Sequence, residues 1–158
     1  MGTDILLNFD AGLADISIQD NDILQDNNLY SAVLISLFTD KRANNADELP
    51  IEFRVGTDYA DLRGFFGDEL YGESIGSKLW LLKREKQLPK VLVLAKQYAE
   101  ESLQWLIRDS FAKSIHVEAI NPHTDILQLK VHIELHKEQN ALYSQEEVNW
   151  NFHLNLGV

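Results

Sequence analysis

Residues Leu127-Gln128-Leu129-Lys130-Val131-His132-Ile133-Glu134-Leu135-His136 alternate apolar and polar side chains without a break. In a strand successive side chains point to opposite faces, so this run puts its five aliphatic residues on one side. One buried and one wet face mark an antiparallel sheet, whereas the strands of a parallel sheet are covered on both sides. The run Val148, Trp150, Phe152, Leu154 and Leu156, set against Asn149, Asn151, His153 and Asn155, repeats the pattern. Ile115, Val117 and Ala119 predict a shorter strand ahead of a turn at Asn121-Pro122-His123. At the other end of the chain, Ile5, Leu7 and Phe9 precede Asp10-Ala11-Gly12, and Ala14, Ile16 and Ile18 follow it. Two alternating runs around an Asp/Gly connection read as a β-hairpin.

Between these ends the period changes from two to 3.6. From Asn28 to about Arg42, the residues Leu29, Tyr30, Val33, Leu34, Leu37 and Phe38 form a broad apolar stripe. A second helix is expected from about Ser77 to Lys86, carrying Leu79, Trp80 and Leu82. Pro89 ends it and suits the first turn of a third helix, where its missing N–H costs nothing. That helix, about Lys90 to Asp109, turns Val91, Ala95, Tyr98, Ala99, Leu103 and Leu106 inward and pairs Lys96 with Glu100 at i,i+4. The expected fold is therefore α+β: an antiparallel sheet from the N-terminal hairpin and the C-terminal strands, packed against about three central helices. A single domain over 1–158 is expected, with a long Gly- and aromatic-containing loop region at 43–76.

The chain has 158 residues and no cysteine, with 25 acidic against 14 basic side chains, a net charge of −11. That length supports a core without disulfides or metals. Absent cysteine removes disulfide scaffolds, thiolate metal sites and Cys nucleophiles. The acid excess argues against nucleic acid as a partner, since neutralising phosphates needs clustered Lys and Arg. No apolar run reaches the roughly 20 residues that cross a bilayer, so no membrane role is expected. Met1-Gly2-Thr3-Asp4-Ile5-Leu6 lacks the basic and apolar regions of a signal peptide.

Several short patterns invite a chemical reading. Gly72-Glu73-Ser74-Ile75-Gly76 has the G-x-S-x-G form that lifts a nucleophilic serine above a parallel sheet, though a glycine-rich helix entry capped by Ser74 or Ser77 explains the same residues. His132, Glu134 and His136 share one strand face and could converge on a metal, or simply be a solvated sheet face with Lys130. Asp68, Glu69 and Glu73 lie beside aromatics, as a glycosidase acid pair would, or are solvated loop acids. Asp20-Asn21-Asp22 opens like a calcium loop but lacks its central Gly and terminal Glu. Lys78, Lys83, Arg84, Lys86 and Lys90 gather positive charge in an acidic chain. None of these patterns forms a complete catalytic constellation, so no catalytic, cofactor-binding or metal residues are expected.

The blocks Ala32-Val33-Leu34-Ile35-Ser36-Leu37-Phe38-Thr39-Asp40-Lys41-Arg42-Ala43, Asp47-Glu48-Leu49-Pro50, Arg63-Gly64-Phe65-Phe66-Gly67-Asp68 and Ile75-Gly76-Ser77-Lys78-Leu79-Trp80-Leu81-Leu82-Lys83-Arg84-Glu85-Lys86 follow one another in order. In sequence and spacing, from roughly Ala32 to Leu106, they resemble the Mu-like phage baseplate protein family (gene product 46). Phe65-Phe66 stands where that family is expected to carry a tryptophan pair. The resemblance implies a structural wedge component of a contractile tail baseplate. Such a subunit is not an enzyme, has no cofactor, and binds the large Mu-like baseplate protein and other tail proteins. It also implies assembly in the bacterial host cytoplasm before incorporation into the virion tail. Aromatic residues and Arg dominate interface energetics, so Arg63, Phe65, Phe66, Trp80, Lys83 and Arg84 are expected at or beside partner contacts; the alternative for Phe65, Phe66 and Trp80 is that they are simply core, as large aromatics mostly are. The competing expectation is a small hydrolase, lysozyme-like or a serine esterase, built on the acidic and Ser-containing loop 68–74.

Overall fold

The structure, a computed structural model, describes residues 4–10, 13–16, 18–19, 22–23, 25–26, 29–50, 53, 62–83, 89–123, 126–136 and 146–156. Short N-terminal strands come first: β1 (Asp4–Ile5), β2 (Leu7–Asp10), β3 (Leu13–Ile16), β4 (Ile18–Gln19), β5 (Asp22–Ile23) and β6 (Gln25–Asp26). They are followed by α1 (Tyr30–Phe38), the single-turn α2 (Asp68–Tyr71), a 3-10 turn (Leu79–Leu82) and α3 (Pro89–Arg108). The chain closes with β7 (Ala112–His123), β8 (Ile126–Leu135) and β9 (Glu147–Asn155). The fold is α+β, and no helix is long and apolar enough to cross a membrane among the described residues.

β8 is the centre of an antiparallel three-stranded sheet ordered β7-β8-β9. Its alternation fixes the register, because a slip of one residue would turn every aliphatic side chain to water. Val131 pairs with Val117 on one side and Trp150 on the other, and Ile133 with Ile115 and Val148. Leu127, Leu129, Val131, Ile133 and Leu135 are at most 1% exposed. α3 covers this face with Val91, Ala95, Ala99, Leu103 and Leu106, all buried at spacings of three and four. α1 adds Val33, Leu34 and Leu37, and Tyr30 and Phe38 meet the sheet through Phe152, with ring centroids 5.8 and 5.6 Å away. The two buried serines of α1 act as ties: Leu7 N–H donates to Ser31 Oγ at 3.0 Å, and Trp105 Nε1–H donates to Ser36 Oγ at 3.0 Å. One links β2 to α1, the other α3 to α1.

Four expectations are corrected. The N-terminal hairpin exists, with Phe9 opposite Ala14 and Asp10 opposite Leu13, but it forms its own two-stranded ladder and does not join the C-terminal sheet. Alternation predicts strands and says nothing of their pairing partner; here Ile16 and Ile18 remain 46% and 70% exposed. Of the helix expected over Ser77–Lys86, the described part is a 3-10 turn, Leu79–Leu82, in which all four residues are buried, and residues 84–86 lie outside the described residues. With apolar contacts on every side there is no amphipathic stripe to favour a longer helix, and Lys83 takes an extended conformation that ends the turn. α1 stops at Phe38 rather than Arg42, because Thr39 is extended and Asp40 enters a parallel bridge with Ser77. The turn expected at Asn121-Pro122-His123 is instead strand: β7 passes through Pro122 within a register shift and pairs His123 with Ile126. An edge strand tolerates that proline because its missing N–H sits at an irregularity.

Candidate partner-contact surface

Segments 40–50 and 62–83 fold onto each other beside α1. Ser77 N–H donates to the Thr39 carbonyl and Lys41 N–H to the Ser77 carbonyl, both at 2.9 Å. Gly76 makes this approach possible, with φ at +102° and no side chain; a Cβ there would collide with the Thr39 carbonyl oxygen. Above the junction, Trp80 Nε1–H donates to the Lys41 carbonyl at 2.9 Å and the ring meets Phe53 edge-on at 5.7 Å. The Arg63 guanidinium pairs with Asp40 and lies 4.5 Å from the Phe53 ring centroid and 5.2 Å from that of Trp80. Stacking of a guanidinium on aromatic faces adds to the ion pair. The structure thus brings two of the expected contacts, Arg63 and Trp80, together inside an internal clamp.

The other expected residues stand differently. Phe65 and Phe66 touch at 4.6 Å between centroids, but Phe65 is half-buried while Phe66 is 88% exposed. Leu70, one turn on in α2, is 81% exposed. The tip carrying them is fastened from behind. Asp68 accepts from Ser74 Oγ at 3.1 Å and from Ile75 N–H at 3.0 Å, and Gly72, left-handed at φ 70°, returns its N–H to the Asp68 carbonyl. Lys83 is exposed at the end of the 3-10 turn, with no carboxylate partner among the described residues. Arg84, like Lys86, lies outside the described residues.

The chemical patterns resolve into structural roles. Gly72-Glu73-Ser74-Ile75-Gly76 follows α2 rather than a strand and leads into a bridge and a 3-10 turn, so it lacks the strand-turn-helix context of a nucleophile elbow. Asp68 is taken up by its own loop and Glu73 by Arg108 at 2.9 Å, which leaves these two without the arrangement of an acid pair across a cleft. His132 and Glu134 do share the wet sheet face, but β8 ends at Leu135 and the backbone N–H of His136 turns to the Phe111 carbonyl. His132 Nδ1 is 2.7 Å from Asn149 Oδ1. Lys113, bonded at 2.9 Å, holds the Glu134 carboxyl below its ordinary range. No group of three metal-ligating side chains converges among the described residues. Of the Asp20-Asn21-Asp22 pattern, Asp22 pairs with Gln19 as strand, and Asp20 and Asn21 lie outside the described residues.

Three further features carry no signal in the sequence. Leu70 could not be told from a core leucine without the short helix that displays it. The Asp47–Lys78 ion pair joins residues distant in sequence, at 2.7 Å. An open cleft of about 380 Å³ lies between α1 and α3, with Ala32, Ile35, Ile75 and Trp105 in its lining and Glu73 and Arg108 at its polar side. Only the structure shows that Ile35, 44% exposed on α1, faces this cleft.

The described residues form an α+β scaffold with an exposed aromatic tip and an open cleft between α1 and α3. The family model described as phage protein GP46 matches residues 29–141. Over 133 residues the chain is 41% identical to baseplate protein gp46 of Escherichia phage Mu, covering 84% of this chain and 88% of that relative. It is 37% identical over 134 residues to the Mu-like prophage FluMu protein gp46 of Haemophilus influenzae, covering 84% and 87%. The chain belongs to the GP46 family of phage proteins.

Proposed function

We propose that this protein is a structural subunit of a phage tail baseplate, a wedge component that works by protein–protein assembly and not by catalysis. The observation that carries the reading is Phe66, a large aromatic 88% exposed on a turn fixed by Asp68. A rigid side chain held ready for contact loses little conformational freedom on docking. Leu70 beside it and Lys83 with no ion-pair partner among the described residues extend the same use of surface. The name of the Mu relative, a baseplate protein, agrees with this role. Phe66, Leu70 and Lys83, with Phe65 in support, face the large baseplate protein and neighbouring tail components. Arg63 and Trp80 hold the loop that presents them. Folding in the host cytoplasm precedes incorporation into the virion tail, and the absence of cysteine suits that reducing compartment.

Complementation of a deletion in the encoding phage or prophage tests this. Phe66→Ala combined with Lys83→Glu is expected to give folded protein and few infectious particles. Wild-type titre from that double variant would overturn the contact assignment.

A further inference from the structure

A second cavity, behind the loop that carries Phe66, presents a cation with no carboxylate partner among the described residues. Seven of the ten described Lys and Arg side chains have a carboxylate within 4.0 Å: Lys41, Arg63, Lys78, Lys96, Arg108, Lys113 and Lys130. In a chain with 25 acids to 14 bases, such pairing is the expected condition of a cation. Arg42, Lys83 and Lys90 depart from it, and of these Arg42 lines a cavity. The Arg42 guanidinium makes one long hydrogen bond, 3.4 Å from an Nη to the Arg63 carbonyl, and has no carboxylate partner among the described residues.

Arg42 lines an open cavity of about 450 Å³ together with Asn44, Asn45, Leu62 and Ser74. Its position is fixed on both sides. Ala43 N–H donates to the Leu62 carbonyl at 2.9 Å, and Asn44 N–H to Asp47 Oδ2 at 2.7 Å. Gly64, left-handed at φ +117°, packs its backbone against the Arg42 stem, where a Cβ would stand 3.0 Å from the Arg42 Cβ. We infer that this cavity is an anchoring site for an Asp or Glu side chain of a neighbouring protein in the assembled baseplate, held by the Arg42 guanidinium; the inference rests on the baseplate reading above. A planar guanidinium matches a carboxylate through two parallel N–H bonds, and the Asn44 and Asn45 amides offer neutral donors alongside. A phosphate, with more charge to neutralise, fits less well. Lys41, which also lines the cavity, is already paired with Glu101 at 3.2 Å, and the protein as a whole carries −11.

Zero-length coupling tests this directly. Tails carrying Arg42→Lys are purified, treated with a carbodiimide and digested for mass spectrometry. The expected product is an amide between the introduced amine and an Asp or Glu of a different tail protein. Coupling confined to this chain's own carboxylates, or no coupling, overturns the site. A second variant guards against a poor fit of the shorter amine. Arg42→Glu is expected to keep its melting temperature and lower infectious titre by about tenfold or more, the scale of one lost charge pair at an interface. Normal titre with that variant overturns the site as well. Purified tails that do not contain this chain at all overturn the baseplate reading, a result distinct from either failure of Arg42.

Discussion

Lys78 Nζ lies 2.7 Å from Asp47 Oδ2, and the two side chains are only 11% and 18% exposed. This pair joins the 40–50 segment to the segment that carries the 3-10 turn, the same junction that Gly76 and Trp80 close. Burial by itself would push the Asp47 carboxyl up, but the Lys78 ammonium and the Asn44 N–H outweigh it and hold the group below its ordinary range. The folded protein therefore binds the Asp47 proton less readily than the unfolded chain does. The contribution of the pair is complete above about pH 5 and falls away as pH drops through about 4 and below.

Lys78→Met leaves a mostly buried carboxylate without its cation and is expected to destabilise the isolated protein by about 2–4 kcal/mol. Asp47→Asn combined with Lys78→Met should recover part of that loss. Urea denaturation at pH 7 and pH 3.5 checks both statements. The wild-type protein should lose more stability than the double variant between the two pH values.

Gly76→Ala should cost about 3 kcal/mol or more, because φ is +102° and the new methyl would meet the Thr39 carbonyl. Gly72→Ala is the control. Its φ of 70° carries a backbone penalty, but nothing lies within 4 Å of the added carbon, so the loss should be about 1 kcal/mol. Thermal unfolding of the two variants side by side separates collision from backbone strain.

Phe66→Ala and Leu103→Ala remove large apolar side chains from opposite surroundings, 88% and 0% exposed. The first is expected to change the stability of the isolated protein by less than about 0.5 kcal/mol and to impair assembly. The second should cost about 2–5 kcal/mol through the cavity it leaves. Equal losses of stability would place Phe66 in the core and remove it from the contact surface.

Arg63→Met tests the clamp. The substitution keeps the length of the stem but loses the Asp40 ion pair and the stacking on Phe53 and Trp80. A drop of about 1–3 kcal/mol in the isolated protein is expected. A fully stable variant that fails only in assembly would return Arg63 to the contact surface.

What could be read in the sequence follows from how locally each feature is determined. The β8 and β9 alternation and the α3 spacing named the buried residues because each element packs one face against one core. The N-terminal alternation named strands without their pairing, since Leu7 meets Ile16 and α1 rather than the C-terminal sheet. Leu79-Trp80-Leu81-Leu82 looked like part of a helix because an apolar run has no period to contradict one. Aromatic content marked Phe65, Phe66 and Trp80 alike, yet only the fold separates an exposed tip from an indole closed over the Lys41 carbonyl. Asp47 and Lys78 could not be paired from sequence, because nothing local to either residue calls for the other.

A structural subunit of the baseplate must be a built-in part of the tail. The most direct test is quantitative mass spectrometry of tails purified from an induced lysate, with a deletion strain in parallel. The chain is expected in intact tails at a fixed ratio to the other baseplate proteins, with no complete tails formed without it. Complete, infectious tails that lack the chain, from either strain, would contradict this role.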